Sequence, residues 1–119
     1  MNLKAIPILR IFDEAKAKAF YVDFLGFHVD WEHRFEDDAP LYLQISRDGL
    51  RLYLSEHSGD CTPGAKVFVE TDAIDVLYAE LSARHYKYNR LALEMAPWGD
   101  RTLEVIDPFS NRLLFNQSA

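Results

Sequence analysis

The chain holds a single cysteine, Cys61, in 119 residues, and one thiol cannot build an internal disulfide framework. Its neighbours Thr62-Pro63-Gly64 offer nothing basic to lower its pKa, so it is not read as a reactive group. No run of 18 apolar residues occurs, and Asn2-Leu3-Lys4 leads straight into an apolar segment. Neither a membrane span nor a signal peptide is therefore expected, and a cytoplasmic home follows. Positive charge is scarce: 13 Lys and Arg against 19 Asp and Glu leave a net charge of −6, and no basic stretch exceeds two residues. Nucleic acid is not an expected partner of such a chain. Glycine and proline number five each, and only Ser58 to Gly64 is dense in turn residues, which marks one internal boundary.

What is present is a repeat. Nearly half of the residues are hydrophobic, enough for one compact domain over 1–119. Residues 5–57 read strand, helix and three strands, and residues 65–117 read the same order again. The first module opens on Ala5-Ile6-Pro7-Ile8-Leu9, passes Asp13 as a helix N-cap, and stops that helix at Leu25-Gly26-Phe27. The second opens on Lys66-Val67-Phe68-Val69, with Asp72 expected to cap a helix whose apolar stripe is Ile74, Leu77, Tyr78 and Leu81. Asp48-Gly49 is a two-residue hairpin signal, and Asp107 to Asn111 forms the last turn. The expected class is α+β, with two tandem βαβββ modules curved around a shared concavity where a ligand would bind.

Strand alternation separates two faces. Phe27, Val29, Trp31 and Phe35 fall on one side and His28, Asp30, Glu32 and Arg34 on the other. Leu41, Leu43, Ile45, Leu50, Leu52 and Leu54 form the aliphatic face that packs on a helix. Asp30, Glu32, Tyr42, Gln44, Tyr53 and Ser55 are expected on the concave face. The same counting puts His28 and His33, five apart, on opposite sides, while His57 falls at a strand end and His85 at a helix terminus. No histidine pair with ligand spacing results.

The stretches Ala19-Phe20-Tyr21-Val22-Asp23-Phe24-Leu25-Gly26-Phe27 and Asp72 to Leu81, with Trp98-Gly99-Asp100-Arg101, Asp107-Pro108 and Asn111, together resemble the vicinal oxygen chelate superfamily of glyoxalases, bleomycin resistance proteins and dioxygenases. The resemblance implies a half-open barrel and a homodimer. In metal-dependent members, one position on the first and last strand of each module binds the ion. Those positions fall here on Ile6, Tyr53, Lys66 and Leu114, none a usual ligand, so neither metal nor other cofactor is expected and no catalytic residue is assigned. The family's final turn usually carries Asp and Gly where this chain has Phe109 and Ser110. Pro97-Trp98-Gly99 is similar to the bleomycin resistance branch, which implies binding of a cationic, aromatic antibiotic and hence a role in resistance. Trp98 would then stack on the ligand, with Asp30, Glu32, Tyr42, Tyr53 and Ser55 around it. The alternative is an enzyme of the same fold, a glyoxalase-like lyase or isomerase or a dioxygenase-like protein.

Overall fold

The computed structural model describes residues 1–86 and 90–119. The first module comprises β1 (Ile8–Arg10), α1 (Glu14–Lys18) continuing as a π-helical segment (Ala19–Phe24), β2 (His28–His33), β3 (Tyr42–Arg47) and β4 (Leu50–Ser55). The second comprises β5 (Lys66–Glu70), α2 (Ile74–Ala83), β6 (Glu94–Met95), β7 (Arg101–Ile106) and β8 (Arg112–Gln117). Each module makes its own four-stranded sheet, ordered β1-β4-β3-β2 and β5-β8-β7-β6. In both, the first strand lies parallel to the fourth while the other pairs are antiparallel. This is the expected doubled α+β architecture.

Local chemistry accounts for most boundaries. Asp13 accepts a hydrogen bond from the Lys16 N–H at 2.8 Å and so starts α1. The helix then widens, Leu25 N–H reaching Phe20 C=O at 2.9 Å, and Phe20, Tyr21 and Phe24 all enter the core. Gly26 ends it at φ 77°, a conformation that costs glycine little. Asp48 and Gly49, both at positive φ, turn β3 into β4 as a primed hairpin requires.

The second helix departs from expectation. Asp72 does not cap it: the N-cap residue is Ala73, whose side chain offers no acceptor. Gln117 on β8 instead accepts from Ile74 N–H at 2.8 Å, and Thr71 Oγ1 accepts from Ala73 N–H at 3.1 Å. The cap arrives from a distant strand.

The modules meet along their helices and through one buried turn. Arg47 on β3 grips Glu80 of α2 with two bonds of 2.7 Å and also donates to Leu25 C=O. Arg84 donates to Phe24 C=O and to Glu80. Tyr21 Oη donates to buried Asp107 at 2.7 Å, and Asn111 Nδ2 donates to Arg10 C=O at 2.8 Å. Ser110 takes φ 72° in this turn, so the position where the family usually has glycine keeps its left-handed backbone here. The radius of gyration is 14.9 Å, above the roughly 13.5 Å of a compact chain this long. The two sheets stand side by side without closing a barrel.

Candidate functional site

Cross-strand pairs point to the same side of a sheet, so register alone lays out the free face of the first module in three rows. His33, Tyr42 and Ser55 form one, Trp31, Gln44 and Tyr53 the next, and His28, Ser46 and Arg51 the third. Between Val29 and Trp31 the register slips by one residue at a β-bulge, with Asp30 as the extra residue. That slip corrects three expectations made from strict alternation. Trp31 joins the tyrosines on the free face instead of the helix face. Glu32, opposite buried Leu43, turns to the helix side and pairs with Lys18, so it does not line the concavity. His28 and His33 share one face.

The outcome is a continuous aromatic platform. The Trp31 ring lies 5.9 Å from Tyr42, nearly parallel at 21°, and 5.5 Å from Tyr53, while the two tyrosines are 5.4 Å apart. His57 touches Tyr42 edge-on at 6.3 Å, and Phe35 closes the margin against His33 and His57. Trp31 is 40% exposed, leaving ring surface for a partner. Asp30 stands beside it, accepting from Gln44 Nε2 at 2.8 Å and Ser46 Oγ at 2.9 Å. Those two donors, Gln44 foremost, hold its carboxyl below the usual range, so it is a fixed negative charge next to electron-rich rings. Partial burial, and then the Asp60 charge, push the Tyr42 phenol up. It remains a neutral hydroxyl at physiological pH.

Ser55 is on the same face but fully buried, donating to Asp60 Oδ2 at 2.6 Å and accepting from His57 N–H at 3.1 Å. It anchors the linker through Asp60 against this face and presents no hydroxyl to a ligand. Because the histidine contact is through the backbone, no imidazole is placed to take a proton from this buried serine.

Trp98 lies on the other module. The turn from Ala96 to Asp100 is closed by Gly99 N–H to Ala96 C=O at 2.9 Å and Ala96 N–H to Asp100 C=O at 2.7 Å, and its indole is 70% exposed. It is no hydrophobic plug. The free face of the second module is charged: Glu104 bridges Lys66 at 3.4 Å and Arg112 at 2.8 Å, with Phe68 exposed beside them. Among the described residues no three His, Cys, Asp or Glu side chains gather in a group able to hold a metal ion. An open cleft of about 1070 Å³ runs between the β3–β4 hairpin and the start of α2, with Leu50, Leu77 and Phe115 among its lining residues. It contains none of the residues of the aromatic platform.

Sequence reasoning named Tyr42, Tyr53 and Asp30, which do assemble. It assigned Trp31 to the wrong face, because a bulge leaves no mark in an alternating pattern.

Comparison with known proteins agrees with this architecture. A family model described as "Glyoxalase superfamily protein" matches residues 2–119. Bleomycin resistance proteins of Geobacillus stearothermophilus and Staphylococcus aureus are 32% identical over 129 aligned positions, covering 97% of this chain and 96% of theirs. A crystal structure of a bleomycin-binding protein complexed with bleomycin superposes with a TM-score of 0.73 at 23% identity, over 99% of this chain and all of that one. TnmS3, an antibiotic binding protein from Streptomyces sp. CB03234, superposes with a TM-score of 0.68 at 24% identity, over 100% and 99%. No helix among the described residues is long and apolar enough to cross a membrane. With the doubled βαβββ fold and whole-length likeness in both sequence and structure, the chain belongs to the glyoxalase, or vicinal oxygen chelate, superfamily, among its members similar to the bleomycin resistance proteins.

Proposed function

We propose that this protein binds and sequesters a planar, cationic, aromatic antibiotic without converting it. The platform of Trp31, Tyr42 and Tyr53 beside fixed Asp30 carries the reading. Flat rings gain about 0.5–1.5 kcal/mol from aromatic stacking beyond area burial, and a cation over such rings gains about as much again. The whole-length likeness to bleomycin resistance proteins supports an antibiotic as the ligand. Trp98, exposed on the other module, would supply a second stacking surface. Ile6, Tyr53, Lys66 and Leu114 supply no donor set suited to a divalent metal, which favours binding over Lewis-acid chemistry.

A homodimer belongs to the same proposal. Two unclosed sheets leave Phe68, Trp31 and Trp98 in the open, and a second copy would cover them and place the sheet of one module opposite that of the other. Light scattering on dilution tests it; a monomer at micromolar concentration overturns it. The ligand reading is tested by thermal shift with bleomycin and with flat cationic dyes. A ligand at 100 times its Kd adds about 2.7 kcal/mol, and no shift with any of them overturns the reading.

A further inference from the structure

Gln44 occupies the centre of the free face of the first module, in register with Trp31 on one side and Tyr53 on the other. Its amide has no choice of orientation. A carboxylate only accepts hydrogen bonds, so the atom facing Asp30 Oδ2 at 2.8 Å must be the nitrogen. Ser46 Oγ engages the other oxygen of Asp30 at 2.9 Å and favours the same orientation. Gln44 Oε1 is thereby turned away from Asp30, and no hydrogen bond from a described residue reaches it. Among the described residues the Tyr42 and Tyr53 hydroxyls likewise have no hydrogen-bond partner. A hydroxyl both donates and accepts and so discriminates little; a locked amide oxygen only accepts.

We propose that Gln44 is a specificity-determining residue that selects ligands with an exocyclic amino N–H on the ring edge, and that Asp30 is the positioning residue that locks it. Side chains stand roughly perpendicular to a sheet, so a ring stacked on the open face of Trp31 meets the sheet edge-on, where Gln44 lies. A ligand with an N–H there makes a bond that an N-alkylated relative cannot, and the relative leaves the acceptor unpaired. Glutamate at position 44 would not serve, because its charge would oppose Asp30. This selectivity rests on the stacking site proposed above.

Two acridine dyes make the test. Proflavine and acridine orange share a flat tricyclic cation with the same ring N–H, and differ only in that the first carries exocyclic amino N–H groups where the second carries dimethylamino groups. Both are titrated against the full chain by fluorescence quenching. Wild-type protein is expected to prefer proflavine about tenfold. Gln44→Leu, which keeps similar bulk, should bind both dyes equally. Asp30→Asn should lower affinity for both through lost charge and also shrink their ratio, because an asparagine amide can donate to Oε1 and release the lock. A purely structural role for Asp30 would leave the ratio unchanged. Equal affinities in the wild type, or a preference that survives Gln44→Leu, overturns the assignment. If neither dye binds the wild type, the stacking site falls and takes this assignment with it, whereas equal binding of both sinks the assignment alone. Should Gln44→Leu fail to fold, the Asp30→Asn ratio decides.

Discussion

The two modules share one topology and differ in nearly everything else. Among the described residues, thirteen of the twenty buried hydrophobic side chains belong to the first module and seven to the second. The first turns three fused aromatic contacts to its free face, the second an ion-paired Lys66, Glu104 and Arg112. On the helix-facing side, by contrast, both keep aliphatic rows, Leu43, Ile45, Leu52 and Leu54 in one and Leu103, Val105 and Leu113 in the other. Duplication preserves the face that folds the chain. The opposite face, which no helix covers, is free to change chemistry.

If that contrast is right, the two cores should not be equally sensitive. Leu54→Ala, at 1% exposure, is expected to cost about 2–5 kcal/mol in urea unfolding, whereas half-buried Val67→Ala should cost about 1. Equal losses would erase the asymmetry. The joint between the modules should rank next. Tyr21→Phe removes the donor to buried Asp107, which keeps bonds from the Phe109 and Asn111 backbone and from Asn111 Nδ2, and about 1–3 kcal/mol should be lost by the same measurement.

The free faces are probed by binding instead. Trp31→Ala should weaken ligand binding by about 1 kcal/mol at any salt concentration while changing unfolding little, and Trp98→Ala should leave the fold intact, given how open its indole is. Loss of fold in either variant would return that ring to the core.

Acid should act on the helix-side clasp. The Arg47 hydrogen bonds hold the Glu80 carboxyl below its usual range against the opposing effect of burial. With the folded pKa depressed, the clasp contributes fully above the ordinary glutamate range of about 4.3 and is lost as pH falls through the lower folded value. Glu80 is still partly exposed, so the effect should be under about 1 kcal/mol; it is read as a steeper acid limb in wild type than in Glu80→Gln. The smallest change is Ser110→Gly, expected to add up to about 1 kcal/mol by relieving a left-handed residue, visible as a slight rise in Tm.

Much of this was legible because it is local. Asp13 as a cap, Gly26 as a stop, and Asp48-Gly49 as a hairpin are each settled within a few residues, and the aliphatic strand faces follow from period-2 alternation. The failures are all long-range. Asp72 looked like the cap of α2, but Gln117 arrives from 43 residues away. Ser55 looked like a ligand group, and its burial under Asp60 depends on how the linker folds back. The position of Trp31 depended on a pairing slip that exists only between two strands.

A regular strand shows a surface one side chain in every two, so the distance between neighbouring groups on a face is set by the backbone repeat. The slip at Asp30 suspends that limit. Two consecutive residues, a carboxylate and an indole, emerge on the same side between Val29 and Glu32, while every residue after them keeps an ordinary partner on β3. Remove Asp30 from the written sequence, and Val29, Trp31, Glu32 and His33 alternate with perfect regularity. Asp30 is thus a surplus letter in the strand: it adds a charge to the recognition surface, doubles the local density of information there, and leaves the spelling of the core untouched.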